Sequence, residues 1–185
     1  HAMFKALLFL GAGAIIHAVH SNEMSTMGGL RKYMPVTHIT FLVACLAIAG
    51  IWPFSGFFSK DEILTACFSF SPVMGWVMTA IAGLTSFYMF RLYYGIFWGR
   101  ENRELHAAHT PHEAPVAMTL PLVILAVVTC VAGFIPFGQF VSADGQAYTI
   151  HIDGSVATLS LCVAVVAIAL ATWMYAREKQ PVADR

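Results

Sequence analysis

This chain is divided into apolar stretches about as long as a lipid bilayer is thick, and that limits its folds more than any other feature. A membrane helix needs about 20 mostly apolar residues at about 1.5 Å each. Five stretches reach or approach that length: Ala2 to Val19, Val36 to about Phe70, Pro72 to Trp98, Pro115 to Pro136 and Gly154 to Ala176. Charged residues make up only 11% of the chain, against 58% hydrophobic. A soluble domain carries about 25% charged residues, so too few polar groups remain here to cover a water-facing surface. The expected fold is all-α, a polytopic transmembrane bundle of about five helices.

The second stretch is too long for one straight span. It is interrupted at Trp52-Pro53-Phe54-Ser55-Gly56. Proline lacks the N–H and clashes with the preceding turn, so the helix must kink or break near Pro53–Gly56. Residues 52 to 57 are therefore expected outside regular helix. Broken helices at membrane depth line water-filled cavities or ion sites.

The connections are polar or rich in Gly and Pro: Ser21 to Pro35, Gly99 to Ala114, and Phe137 to Asp153 with its Asp144-Gly145 turn signal. The first two loops and the tail hold Arg31, Lys32, Arg100, Arg103, Arg177, Lys179 and Arg185, while the opposite loops hold no Lys or Arg. That bias puts loops 21–35 and 99–114 and the tail on the cytoplasmic or matrix side. The chain opens at His1 inside an apolar helical stretch, with no initiator Met and no basic leader. This is not a signal peptide, and it reads as a piece cut through a helix. Net charge is zero, which argues against nucleic acid as a partner. Cys45, Cys67, Cys130 and Cys162 lie far apart in apolar runs and read as small apolar fillers.

The candidate functional residues are the ionisable groups inside these stretches. Lys5 sits among Phe4, Ala6, Leu7 and Leu8. A lysine at membrane depth costs about 2.5 to 3.5 kcal/mol on insertion scales, so it is expected to face the bundle interior or water. Its alternative is to snorkel to an interface: the cytoplasmic one, at the loop of His20, is too far, at roughly 22 Å of helical rise, and the outer one stays open as an alternative. His1, four residues before Lys5, shares its helix face. His17, twelve after, falls on roughly the same stripe, and histidine passes protons either way near neutral pH. Just after the break come Lys60, Asp61 and Glu62. They read either as relay groups or as an interface with acids near a helix N-terminus. Arg91 lies about two turns from the cytoplasmic end and is expected to snorkel or pair. His106, His109 and His112 read as a solvated loop, and neither they nor His1, His17 and His20 have convincing metal spacing. No metal or cofactor is expected.

The runs HAMFKALLFLGAGAIIHAVHSNEMSTMGGLRKYMP, GFFSKDEIL and TSFYMFRLYYGIFWG resemble the subunit L (chain 5) family of respiratory NADH dehydrogenase, complex I. The members of this family are antiporter-like proton-pumping subunits. The resemblance covers most of residues 1 to 100 with specific motifs. It implies that the broken helix matches residues 36 to 70, that central proton-relay residues map onto His1 and Lys5, and that the terminal relay lysine maps onto Lys60 with its acid at Asp61. It implies a proton-translocating module over 1–100, followed at 101–185 by a loop, two further spans and a cytoplasmic tail. It also implies a multi-pass protein of the cell inner membrane, partnered by lipid and by other membrane subunits of complex I. Redox energy from quinone chemistry would then come from elsewhere, since no NADH, flavin, iron–sulfur or quinone pattern occurs here. A multi-subunit Na⁺/H⁺ antiporter or a membrane-bound hydrogenase shares the same lysines. A structural scaffold with Lys5 and Lys60 as interface anchors is the third alternative.

Overall fold

The computed structural model describes residues 1–140, 145–146 and 151–176. Asp144 and the tail from Arg177 lie outside the described residues, so neither the Asp144-Gly145 turn nor the tail is placed. The protein is an all-helical membrane bundle. Its helices are α1 (Ala2–Val19), α2 (Pro35–Ala49), α3 (Ser55–Phe70), α4 (Pro72–Phe97), the short α5 (Arg103–Ala108), α6 (Val116–Val131) and α7 (Gly154–Tyr175). Four are long and apolar enough to cross a membrane: α1, α4, α6 with its 3₁₀ extension to Phe134, and α7. Each of α2 and α3 rises only about 22 to 24 Å, short of the roughly 30 Å hydrocarbon layer. Together they form the broken fifth element.

The break lies slightly upstream of its expected place. α2 stops because Gly50 takes a left-handed conformation (φ 80°). Gly50 N–H donates to the Ala47 carbonyl and Ile51 N–H to that of Leu46, both at 3.1 Å. This is the glycine-terminated helix end that satisfies two of the last carbonyls. Ser86 of α4 donates its hydroxyl to the Ala49 carbonyl at 3.3 Å, so a third carbonyl is met inside the protein, as membrane depth requires. Pro53 then prevents the helix from resuming until the extended Phe54, and Ser55 begins α3. Residues 50 to 54 are non-helical, whereas 55 to 57 are helix. Gly56 therefore lies within α3, where it serves packing: a Cβ there would stand 1.7 Å from the Ala47 carbonyl oxygen.

α2 is central and packs on α1, α4 and α6, while α7 lies along α4. α1 buries Phe4, Leu7, Gly11, Ala14, Ile15 and Ala18, spaced three and four apart on one helical face. Large apolar side chains face outward elsewhere, among them Phe70 at 81% and Val166 at 67% exposure. An apolar surface of this size marks a face suited to a membrane or to another protein surface.

One end of the bundle is tied together by two glutamates. Glu113 accepts from Val36 N–H at 2.8 Å and from the Thr37 hydroxyl at 2.6 Å, which caps the start of α2 with a negative charge. Glu101 accepts from the Tyr33 hydroxyl at 2.7 Å and meets His106 at 3.3 Å. The Tyr33 bond, with help from His106 and Lys32, holds the Glu101 carboxyl below the ordinary carboxylate range. Between these loops Gly28 (φ 113°) lies so close to the Arg100 carbonyl that a Cβ would stand 2.0 Å from its oxygen.

Candidate functional site

The break creates the site. Because α2 ends at Gly50 and α3 starts against Ala47, the second turn of α3 comes back over the end of α2. Lys60 lies there with its stem against Gly50, where even a Cβ would come within 2.8 Å of the lysine Cδ. Its Nζ is buried and has no hydrogen-bond partner among the described residues. A cavity of about 350 Å³ opens beside it, lined by His1, Lys5, Lys60, Ser59, Thr85 and Tyr88 among others. The two lysines lie 55 positions apart in the chain and reach this cavity from different helices. Lys5 is exposed on the open face of α1, yet borders the same space as Lys60.

A second cavity of about 460 Å³ adjoins it, lined by His1, Ser55, Ser59 and Glu62 together with apolar residues of α6 and its extension. His1 and Ser59 border both cavities. Successive residues on a helix point about 100° apart, and Lys60, Asp61 and Glu62 follow that rule. Lys60 faces the first cavity and Glu62 the second. Asp61 points into protein at 1% exposure, toward the Asp153 backbone at the start of α7, without a well-formed hydrogen bond to either carboxylate oxygen among the described residues. Lys60 and Asp61 form no ion pair among those residues. A polar atom left orphaned in a native interior calls for an explanation, and here the orphans are neighbours on one helix.

His17 is not in this cavity. Its ring lies 6.2 Å from that of His20 and 6.3 Å from that of His112, and His20 lies 4.6 Å from His109. All four imidazoles are exposed at the end of α1 far from Lys5. Phe9 and Gly13 separate His17 from Lys5 along the open face of α1. His106 is buried and bonded to Glu101 and to the Thr26 carbonyl, so it belongs to the loop tie and not to a solvated loop. No group of three metal-ligating side chains converges among the described residues.

The sequence gives His38 no role and places Tyr93 in an interfacial aromatic belt with Phe87, Tyr88, Tyr94 and Trp98, whereas Tyr93 is buried in the fold. The His38 Nε2 and the Tyr93 hydroxyl lie 2.6 Å apart between α2 and α4. Trp98 Nε1 donates to the same hydroxyl at 3.2 Å, and Arg31 stacks 3.5 Å over the Trp98 ring. A polar line thus enters the bundle from the loop end. The available signal was a lone histidine in the apolar run of α2.

A family model described as NADH:quinone oxidoreductase/Mrp antiporter, transmembrane, matches residues 1–86. Chain 5 of a NAD(P)H-quinone oxidoreductase from Picosynechococcus is 39% identical over an alignment of 219 positions, which covers 97% of this chain and 33% of that protein. The chloroplastic subunit 5 of Chaetosphaeridium globosum is 45% identical over 148 positions, covering 73% and 22%. NADH-quinone oxidoreductase subunit L of Mycobacterium tuberculosis is 47% identical over 138 positions, covering 72% and 22%. The chain spans between a fifth and a third of the length of these relatives.

Proposed function

Residues 1–86 belong to the NADH:quinone oxidoreductase/Mrp antiporter family of membrane proteins, and from that membership we propose that this chain moves protons through the membrane within a proton-pumping NADH:quinone oxidoreductase. Electron transfer in other subunits drives it. The residues that carry the proton are Lys5 and Lys60, with His1, Asp61 and Glu62 as further stations. The observation that carries this reading is the cavity that Lys5 shares with Lys60, whose buried Nζ has no hydrogen-bond partner among the described residues. The conducting part is residues 1–100, and 101–185 flank it.

The physics is electrostatic. A cavity of this volume is roughly 8 Å across, and two unit charges at that distance repel by about 2 kcal/mol at an effective dielectric of about 20. That is about a thirtyfold change in proton occupancy, since about 1.4 kcal/mol is tenfold. A proton arriving on Lys5 therefore drives one off Lys60. Waters in the cavity bridge gaps too long for direct hydrogen bonds. Lysine suits the task because its ammonium releases a proton far more readily than guanidinium does. His17, exposed among the other surface imidazoles, takes no step in this hand-over.

Lys5→Ala in the full-length protein tests the reading. Assembled membranes are expected to lose most proton pumping while NADH oxidation by an artificial acceptor continues. Pumping at the parent proton-to-electron ratio sinks the assignment of Lys5. The family description also names Mrp antiporters; a requirement of transport for Na⁺ would favour that reading.

The same proposal sets the chain in a cell inner membrane, with loops 21–35 and 99–114 and the tail on the cytoplasmic side. The seven-to-zero basic asymmetry supports it. An Arg100→Cys variant, with the four native thiols replaced, is expected to resist a membrane-impermeant thiol reagent until the membrane is opened. Labelling from outside reverses the orientation.

A further inference from the structure

The α4–α7 seam carries a feature with no part in proton transfer. A groove of about 580 Å³ runs along it, almost wholly apolar, lined by Gly83, Leu84 and Phe87 on α4 and Val163, Val166 and Leu170 on α7. Its volume falls in the range of small-molecule sites, about 300 to 1,000 Å³. On α4 the groove follows Ala80, Leu84 and Phe87, at intervals of four and three. The next residue of that face, four further on, is Arg91. Arg91 is exposed and has no ion pair among the described residues, and its guanidinium carbon lies 5.5 Å from the centre of the Tyr175 ring. It stands about 6 Å beyond Phe87 along the helix and about 9 Å before the helix end.

We propose that this groove is a binding site for an anionic glycerophospholipid, with an acyl chain along the α4–α7 seam and the phosphate on Arg91. The two ends of the site match the two ends of such a lipid. An apolar trough at membrane depth takes hydrocarbon, and a guanidinium with no ion pair among the described residues at its end takes phosphate as a planar fork of donors. An arginine inside a bilayer is costly without a counter-charge, and basic pockets between helices near the cytoplasmic interface hold anionic headgroups. A zwitterionic lipid has the same phosphate, but its own ammonium competes for it. Net negative charge is therefore the discriminating property.

The test uses the full-length protein in phosphatidylcholine vesicles doped with phosphatidylglycerol. Each lipid in turn carries a photoactivatable acyl chain, and the labelled peptides are mapped. Phosphatidylglycerol is expected to mark segments 80–87 and 162–170 about fivefold more than phosphatidylcholine, the equivalent of about 1 kcal/mol per basic residue near the surface. Arg91→Gln is expected to equalise the two lipids, and Arg91→Lys to keep most of the preference. Ala80→Phe, which fills the groove from the same helix face, is expected to reduce labelling by both. Equal labelling by both lipids in the parent protein overturns the proposal. So does a preference that survives Arg91→Gln, or labelling unchanged by Ala80→Phe.

Discussion

Lys60→Ala in the full-length protein is expected to abolish most proton pumping without loss of assembly. Both halves of that expectation come from one observation: the Lys60 Nζ is buried and has no hydrogen-bond partner among the described residues. A buried polar group left unpaired costs about 1 to 3 kcal/mol. Removing it relieves that cost, and the packing lost with the stem on Gly50 offsets the relief. Stability is therefore expected to change little. A group that transfers a proton in a reaction typically contributes about 10²- to 10⁴-fold, so pumping is expected to fall at least about tenfold. Lys60→Arg keeps the charge but holds its proton too tightly to release it, and is expected to rescue little. The measurements are the proton-to-electron ratio in sealed membranes and the amount of assembled complex. An assembled Lys60→Ala complex that pumps at the parent ratio would falsify the relay role of Lys60. Loss of assembly with Lys60→Ala would instead point to the anchor role of the scaffold alternative.

Much of this arrangement is legible in the sequence. Apolar runs of span length mark the helices because the bilayer sets their length, and a Pro inside such a run has few outcomes. Lys60 stands out because an ionisable group at depth has a known cost. The contacts made by loops are harder to read. Glu101 and Glu113 look like ordinary loop acids, and only the fold shows that one holds Tyr33 and His106 while the other caps α2. His17 shares the Lys5 stripe by helical count, as expected, but a stripe fixes direction and not depth. It sits at the far end of α1, among imidazoles contributed by a segment about 90 positions away. The convergence of Lys5 and Lys60 on one cavity is likewise a tertiary fact, set by how α3 folds back on α2.

Gly56 shows most clearly how far pattern reading goes, and its replacement is the second large effect expected. The pattern of Pro53 and Gly56 suggests a helix break that includes the glycine. In the fold Gly56 is helical, and its Cα presses on the Ala47 carbonyl of α2, so close that a Cβ would stand 1.7 Å from the oxygen. That carbonyl cannot swing aside freely, because it accepts the Gly50 N–H that ends α2. The neighbour is backbone, not the tip of a side chain. Gly56→Ala must therefore push α3 away from α2. Overpacking a tight site typically costs about 1 to 3 kcal/mol, occasionally more, and this contact belongs at the top of that range. Helix propensity works the other way: alanine is better than glycine by about 1 kcal/mol within a helix. Gly13→Ala provides the control, since nothing lies within 4 Å of a Cβ there and only the propensity gain remains. Thermal unfolding of the purified full-length protein is expected to show Gly56→Ala clearly destabilised and Gly13→Ala unchanged or slightly stabilised. Pumping by whatever Gly56→Ala protein assembles is expected to fall as well, because Lys60 rides on the displaced helix. If Gly56→Ala is as stable as the parent and pumps normally, the close crossing of α2 and α3 is not what holds Lys60 in place.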